Sequence, residues 1–310
     1  MFPSLKDASL KTLSSLKRRP VMLSSAQILQ QIPRPDRKRV QSRQSAFATP
    51  SSFASSSPGW SDADGRPLPA VPEYLKKEYH WAYGNPLSVK LLDRTFLVNI
   101  VLAGNFEILK SEVLDELTTA GDEGTAAATP ATPIVHGRTL QVACVYGDFT
   151  QQLSKHLAPD ASLDVVDVLP VQLENLQLKL HDKVGSNKIA LSCHNATALG
   201  FQDDTFDQVV LFFLLHEMPN EARIKALAEA SRVVKPGGKM IFLDFYRPKT
   251  LWHRLWIYCI EPFANDLWTH SIRDWLPNDV RLSPETRIRQ ELFYAGCYQK
   301  VVVTVPKSSR

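Results

Sequence analysis

Eleven residues, Leu140-Gln141-Val142-Ala143-Cys144-Val145-Tyr146-Gly147-Asp148-Phe149-Thr150, restrict the folds open to this chain more than any other stretch. An apolar run passes into a tight turn holding a glycine, and a helical segment follows. Strand, turn and helix in that order is how nucleotide-binding α/β sheets begin, because it puts backbone N–H groups and a helix N-terminus at one sheet edge. The alternation then repeats. Residues 139–145 read as strand one, 148–157 as a helix, 162–168 as strand two and 171–180 as a helix. Residues 189–193 read as strand three, 207–215 as strand four and 221–234 as a helix. The unbroken apolar run 209–215 is typical of a strand buried on both faces. Pro236-Gly237-Gly238 ends the helix and 239–245 is strand five. Residues 288–294 and 298–305 flank Ala295-Gly296-Cys297 as an antiparallel hairpin. The expected fold class is α/β: a doubly wound, mostly parallel sheet closed by a C-terminal antiparallel hairpin.

With 310 residues, 44% of them hydrophobic, the chain can bury one large core. Its charge is uneven. Residues 1–60 hold ten Lys/Arg and two acids, leaving 26 basic against 30 acidic residues in the rest. A nucleic-acid binder keeps its basic excess on the folded part, so no nucleic-acid partner is expected. Leu5, Leu10, Leu13 and Leu16 share a helical face ringed by Lys6, Lys11, Lys17 and Arg18. That basic, Ser-rich, acid-poor pattern predicts a mitochondrial targeting segment over residues 1–60; a basic disordered tail is the plainer alternative. The four cysteines form no CxxC pair, so neither a zinc knuckle nor a disulfide framework is indicated. Residues 73–117 read as helical and 118–137 as a flexible surface loop. The body of the protein is expected over residues 70–310.

Candidate chemistry gathers where these strands end. Asp167, with Val168 beside it, lies about 20 residues past the Gly147 turn, where an acid accepts hydrogen bonds from adenosine ribose hydroxyls. Asn195 and Ala196 follow strand three, and Asn195 is placed to read an adenine amino group. Asp148 opens the helix after the turn, either as a partner of the helix dipole or as a cofactor or metal contact. His216-Glu217 follows strand four, where the pair reads as acid/base or metal ligands, or as a polar strand end. The insert 246–286 holds four of the six tryptophans. It reads as a lid for a lipophilic ligand or as extra core.

Val142-Ala143-Cys144, Gly147-Asp148, Asp167, Phe206-Asp207-Gln208-Val209 and Ser231-Arg232-Val233-Val234-Lys235-Pro236-Gly237-Gly238 resemble the class I S-adenosylmethionine (SAM) methyltransferases of ubiquinone and menaquinone biosynthesis. Those enzymes carry an acid followed by small-x-Gly-x-Gly; here Gln141, Ala143, Val145 and Gly147 stand at these positions. The altered turn, with DVVDVLPVQL (164–173), LFFLLHE (211–217), Trp81-Ala82-Tyr83, Glu261-Pro262-Phe263, Asp274-Trp275-Leu276-Pro277 and Tyr298-Gln299-Lys300-Val301-Val302, resembles the rhodoquinone biosynthesis (RquA) family from about residue 74 to 305.

The resemblance implies a class I SAM-methyltransferase-like fold with N-terminal helices. It implies SAM held by Gln141, Ala143, Val145, Gly147, Asp148, Asp167, Val168, Asn195 and Ala196. It implies Mn2+, for which His216, Glu217 and Asp148 are candidate ligands, and catalysis by Gln141, Tyr146, His216 and Glu217. Ubiquinone would be the lipophilic substrate, converted to rhodoquinone by exchange of a ring methoxy for an amino group donated by SAM. A conventional quinol methyltransferase shares nearly all these motifs, and a non-catalytic SAM-fold subunit among other quinone-biosynthesis proteins is a further alternative. Peripheral contact with the matrix face of the mitochondrial inner membrane is expected through 252–263. Gln141 removes a carboxylate expected near the SAM amine, and removing it lowers the pKa of an ammonium.

Overall fold

The computed structural model describes residues 69–118, 134–181, 188–260, 271–279 and 285–307. The expected targeting segment, most of the loop at 118–137 and part of the insert lie outside the described residues. Two helical turns, Leu75–Tyr79 and His80–Tyr83, lead into α1 (Pro86–Leu92), α2 (Thr95–Val101) and α3 (Phe106–Thr118). The helical reading of 73–117 is therefore cut into pieces. Asn85 caps α1 by accepting from the Leu87 N–H, with Pro86 at the first helical position. Ala103 and Gly104 adopt φ of 52° and 80°, which ends α2.

Then come β1 (Arg138–Val142), α4 (Phe149–Lys155), β2 (Ser162–Asp167), α5 (Pro170–Leu180), β3 (Ile189–Cys193), β4 (Phe206–Phe212), α6 (Asn220–Val233) and β5 (Val234–Phe245). Helices α7 (Leu251–Ile260) and α8 (Ile272–Asp279) precede β6 (Arg287–Phe293) and β7 (Tyr298–Thr304). The seven-stranded sheet runs β3-β2-β1-β4-β5-β7-β6. β1 to β5 pair in parallel, and β7 enters antiparallel between β5 and β6. This is the doubly wound sheet with a terminal hairpin that the alternation predicts.

The C-terminal half of β4 shows why residues 209–212 are apolar without interruption. Val209 and Leu211 pack into one core with Leu227 and Ala230 of α6 and Leu276 of α8. Val210 and Phe212 pack into the other, with Phe106 and Leu109 of α3 and Phe149 of α4. Successive side chains enter opposite layers, so no position is left for water.

Several boundaries differ from expectation, each for a backbone reason. β1 stops at Val142 because Ala143 turns to a φ of 74°. β4 stops at Phe212 because Phe213 turns to a φ of 55°, and Leu215–Glu217 then form a 3-10 turn. β5 starts at Val234 and runs through Pro236-Gly237-Gly238, where the register against β4 shifts. A Cβ on Gly238 would lie 2.7 Å from the Asp207 carbonyl oxygen, so glycine permits this approach. Val135, assigned to the flexible loop by sequence, is fully buried and bridges Leu157 in parallel.

Candidate active site

The turns after β1, β2, β3 and β4 emerge at the carboxyl edge of the sheet and border one cavity of about 300 Å³. Residues Tyr74 to Leu102 supply the opposite wall, including Tyr74, Trp81, Tyr83, Leu97 and Val98. The lining is largely aliphatic and aromatic, with a few convergent polar groups, as expected of a site for an organic ligand.

Asp167 ends β2 at this edge. Its Oδ2 accepts from the Cys144 N–H at 2.8 Å and its Oδ1 from the Leu169 N–H at 2.8 Å. Burial pushes its carboxyl up to about 6, against the pull of these N–H groups. The carboxylate thus braces the β1 turn and also lines the cavity where an adenosine ribose would lie. Val168, Asn195 and Ala196 line the cavity too. The Asn195 side-chain Oδ1 is already taken by the N–H and hydroxyl of Thr197, each at 2.9 Å. It is therefore not the acceptor for an adenine amino group that the sequence reading proposed. The cradle fits SAM through the Asp167 carboxylate and the lining from β2 and β3.

The turn after β1 divides the sequence-predicted residues. Ala143, Val145 and Tyr146 line the cavity; Gln141, Gly147 and Asp148 are absent from its lining. Gln141 is fully buried beneath the turn, donating from Nε2 to the Ala143 carbonyl at 3.0 Å and accepting from the Thr150 hydroxyl at 3.0 Å. It holds the turn in shape and is no direct contact for a ligand in the cavity. Gly147 has a φ of 86°, and a Cβ there would meet the Phe106 ring at 2.7 Å. Its freedom serves that packing, while its N–H donates to Asp93 Oδ1 at 2.8 Å. Asp148 is paired with Lys110 at 2.7 Å and accepts from Gln152 Nε2 at 2.7 Å, which leaves it a structural acid. Burial pushes the Tyr146 phenol up, so it stays protonated. Its hydroxyl donates to the Ala82 carbonyl at 2.8 Å and accepts from Gln172 Nε2 at 3.1 Å. That makes Tyr146 a brace and an apolar wall, not a proton-transfer group.

His216 and Glu217 do enter the cavity wall, from the turn after β4. Asp244, at the end of β5 and almost fully buried, faces His216 Nδ1 at 2.9 Å. Its other oxygen accepts the N–H groups of Leu215 at 2.7 Å and His216 at 3.2 Å. Asp244 Oδ1 also accepts the Phe245 N–H at 2.7 Å, so it faces the imidazole as an acceptor and Nδ1 is the donor. Nε2 lies 3.9 Å from Glu217 Oε1, which accepts a hydrogen bond from the Tyr83 hydroxyl. Arg223, also buried, donates from Nε to the Leu215 carbonyl at 2.6 Å and stacks over Trp275. The arrangement is an imidazole in the cavity wall, oriented by a carboxylate behind it.

Manganese does not fit. Among the described residues no three His, Cys, Asp or Glu side chains converge on a point that would hold a metal ion. His216 Nδ1 is engaged by Asp244, and Asp148 is engaged by Lys110. The lid reading of the insert also changes. Among its described residues only Ile260 lines the cavity, while Trp252 is exposed and Trp275 is buried against the α6 side of the sheet.

Asp244, Tyr83, Tyr74 and Arg223 were missed from sequence. One signal was present: Asp244 is a lone acid in the otherwise apolar strand end Met240–Phe245, and such an acid needs a partner. The aromatic helix 74–83 gave no sign that it would cross to the sheet edge.

The sequence profile described as the ubiE/COQ5 methyltransferase family matches residues 125–304. The chain is 31% identical over 162 residues to a demethylmenaquinone methyltransferase of Bacillus subtilis (strain 168), covering 50% of this chain and 68% of that one. It is 28% identical over 149 residues to the ubiquinone/menaquinone biosynthesis C-methyltransferase UbiE of Geobacter sp. (strain M21), covering 46% of this chain. That alignment spans 63% of the Geobacter protein, so the match is to part of the relative's length. Among solved structures, the CurJ carbon methyltransferase superposes with a TM-score of 0.50 at 12% identity, covering 76% of this chain and 61% of that one. That likeness is one of fold alone. The architecture is the class I SAM methyltransferase fold.

Proposed function

We propose that this chain, which belongs to the ubiE/COQ5 methyltransferase family, is an enzyme that uses SAM to modify the ring of a quinone or quinol, with His216 as the base. The reaction we favour replaces a ring methoxy of ubiquinone by an amino group, giving rhodoquinone. The observation behind this preference is the turn after β1. Val145 lines the cavity where the family pattern has its middle glycine, the bulky Tyr146 lines it beside Val145, and the position beneath holds Gln141 in place of an acid. Bulk at this turn keeps the methionine end of SAM from lying against the backbone as it would over glycine. The relatives' names weigh the other way. They support a second reading, methylation of a quinol ring carbon, for which the same base and cavity also serve.

When bound, SAM would supply either its amino nitrogen or its methyl carbon. In the first case the ring methoxy leaves as methanol, water cleaves the Cα–N bond, the carbon skeleton leaves as a 2-oxo acid and the quinone takes up the two electrons as the aminoquinol. In the second a ring proton leaves. Asp167 holds the cofactor ribose. The Asp244–His216 pair accepts a proton at Nε2, from the attacking amine in one case and from a quinol hydroxyl in the other, and Asp244 stabilises the imidazolium. Tyr83 and Glu217 orient the ring oxygens. The apolar wall from Trp81 to Val98 excludes water and packs the ring. The basic segment at residues 1–60 supports import into mitochondria, where ubiquinone is available.

The deciding experiment incubates the purified chain with a short-tailed ubiquinone, or with a ring-unmethylated quinol, and SAM carrying nitrogen-15 in the amino group and deuterium in the methyl. Ubiquinone product that gains nitrogen-15 and loses the methoxy group supports amination. Quinol product that gains the deuterated methyl replaces it with methylation. SAM binding with no product from either substrate overturns both and leaves a non-catalytic subunit.

A further inference from the structure

Helices α2 and α7 meet outside the cavity. Ile100, Ala103 and Gly104 at the end of α2 border a shallow depression with His253 and Trp256 of α7. On α2, Phe96 and Ile100 are one helical turn apart and both exposed, Phe96 by 72%. On α7, Trp252, Leu255 and Trp256 share a face and are exposed, Trp252 by 81%. The two rows come together at Ile100 and Trp256. Large aromatic and aliphatic side chains gathered this way on a surface mark a place where something apolar binds.

Charge on these helices points to the kind of partner. Neither α2 nor α7 contains an Asp or Glu, while Arg94 precedes α2 and Arg247, Lys249 and Arg254 lie at the start of α7. Two such faces would repel each other, whereas an anionic surface would attract both. The face is also continuous with the cavity. Val101 of α2 is at once exposed and part of the cavity lining, and Ile260 at the end of α7 lines the cavity as well. Among the described residues no helix is long and apolar enough to cross a bilayer. Short helices with exposed tryptophan, no acids and flanking bases lie in the interfacial layer of a membrane.

We propose that the α2–α7 face seats the protein on an anionic phospholipid surface and sets the cavity mouth at the depth of the acyl chains. Lipid-soluble molecules then enter laterally, without crossing water. The surface does not depend on which group the enzyme transfers.

The test uses the full chain and sedimentation with phosphatidylcholine vesicles, with and without phosphatidylserine. Binding is expected to both, stronger with phosphatidylserine and weakened by salt in that case. In the double variant Phe96→Glu/Trp252→Glu, binding should fall at least tenfold while the melting temperature holds, because both side chains are solvent-exposed. An Arg247→Gln/Lys249→Gln variant should lose the phosphatidylserine increment only. Equal binding by the apolar double variant overturns the assignment. So does a wild-type dimer in sedimentation velocity that the same substitutions dissolve, which would make a second copy the occupant. Vesicle binding without turnover would leave the surface standing while the proposed reaction fails.

Discussion

Two turns leave the same sheet edge and face one cavity, and each begins with a residue in left-handed backbone: Ala143 after β1 and Phe213 after β4. For a non-glycine residue that conformation costs about 1–2 kcal/mol, so each turn needs bracing. The braces differ. Under the β1 turn the neutral Gln141 holds Ala143 and Thr150 from outside the cavity lining, while the cavity-facing Asp167 accepts the backbone N–H groups of Cys144 and Leu169. Under the β4 turn the bracing group is a buried carboxylate, Asp244, which also reaches the imidazole. One turn shapes the cavity with Val145 and Tyr146; the other sets an imidazole, held by a carboxylate, in the cavity wall. Tyr83 spans them, donating to Glu217 and packing on the Tyr146 ring at 5.4 Å. The two turns thus differ in whether the brace reaches an imidazole in the cavity wall, and the proposed base follows from that difference.

The comparison breaks most visibly at His216. His216→Ala should lower kcat by about 10²–10⁴-fold, the usual contribution of a positioned base, with SAM affinity unchanged by calorimetry. Equal losses of kcat and SAM affinity would mean that the β4 turn only shapes the site. Next in size is Asp167. Asp167→Ala should weaken SAM by roughly 2–4 kcal/mol, the loss of two charge-assisted hydrogen bonds. The wild-type protein adds a pH test. With its carboxyl pushed up to about 6 by burial, Asp167 is charged above that pH and protonated below it. SAM affinity should therefore fall about tenfold between pH 7 and pH 5, a slope that Asp167→Asn should lack.

Gln141 sharpens the other side. Gln141→Glu keeps the shape but sets a carboxylate oxygen where an amide N–H met the Ala143 carbonyl. The expected loss is about 1–3 kcal/mol of stability, read as a lower melting temperature. The pH optimum of turnover should not move, since this side chain is outside the cavity lining. A moved optimum with unchanged stability would restore Gln141 to the chemistry. The smallest effect is Tyr146→Phe. Losing the hydroxyl bonds to Ala82 and Gln172 should cost about 1 kcal/mol of stability and leave the product unchanged.

The sheet was legible because its signals are local. The strand-turn-helix at 140–150 and the apolar run at 209–215 each state an element and its neighbours. Asp167 was legible for the same reason, since its place follows from the spacing between a turn and the next strand end. The braces were not. Gly147 and Asp148 sit in a cofactor motif, yet their roles follow from partners far along the chain: Phe106, which leaves no room for a Cβ at Gly147, and Lys110, which pairs with Asp148. Asp244 is 28 residues from His216, and the two meet only because β4 and β5 pair in parallel and end together. The roof of the cavity was read as the tryptophan-rich insert. Among the described residues the insert gives it only Ile260, and the rest comes from residues 74–102, whose aromatic spacing is equally consistent with ordinary core.

Asp93, between α1 and α2, joins that roof to the sheet edge. Its Oδ1 accepts from the Gly147 N–H and from Lys179 Nζ, each at 2.8 Å, and its Oδ2 accepts from Asn175 Nδ2 at 2.6 Å. A ligand that steadies the β1 turn therefore steadies the helices above it through the same carboxylate. Amide hydrogen exchange over 86–101 should slow when SAM alone is added, before any quinone is present. Asp93→Ala should abolish that protection while leaving the exchange of β4 and β5 untouched. That outcome would make binding order a property of the fold, with the apolar compartment assembled by the first ligand to arrive.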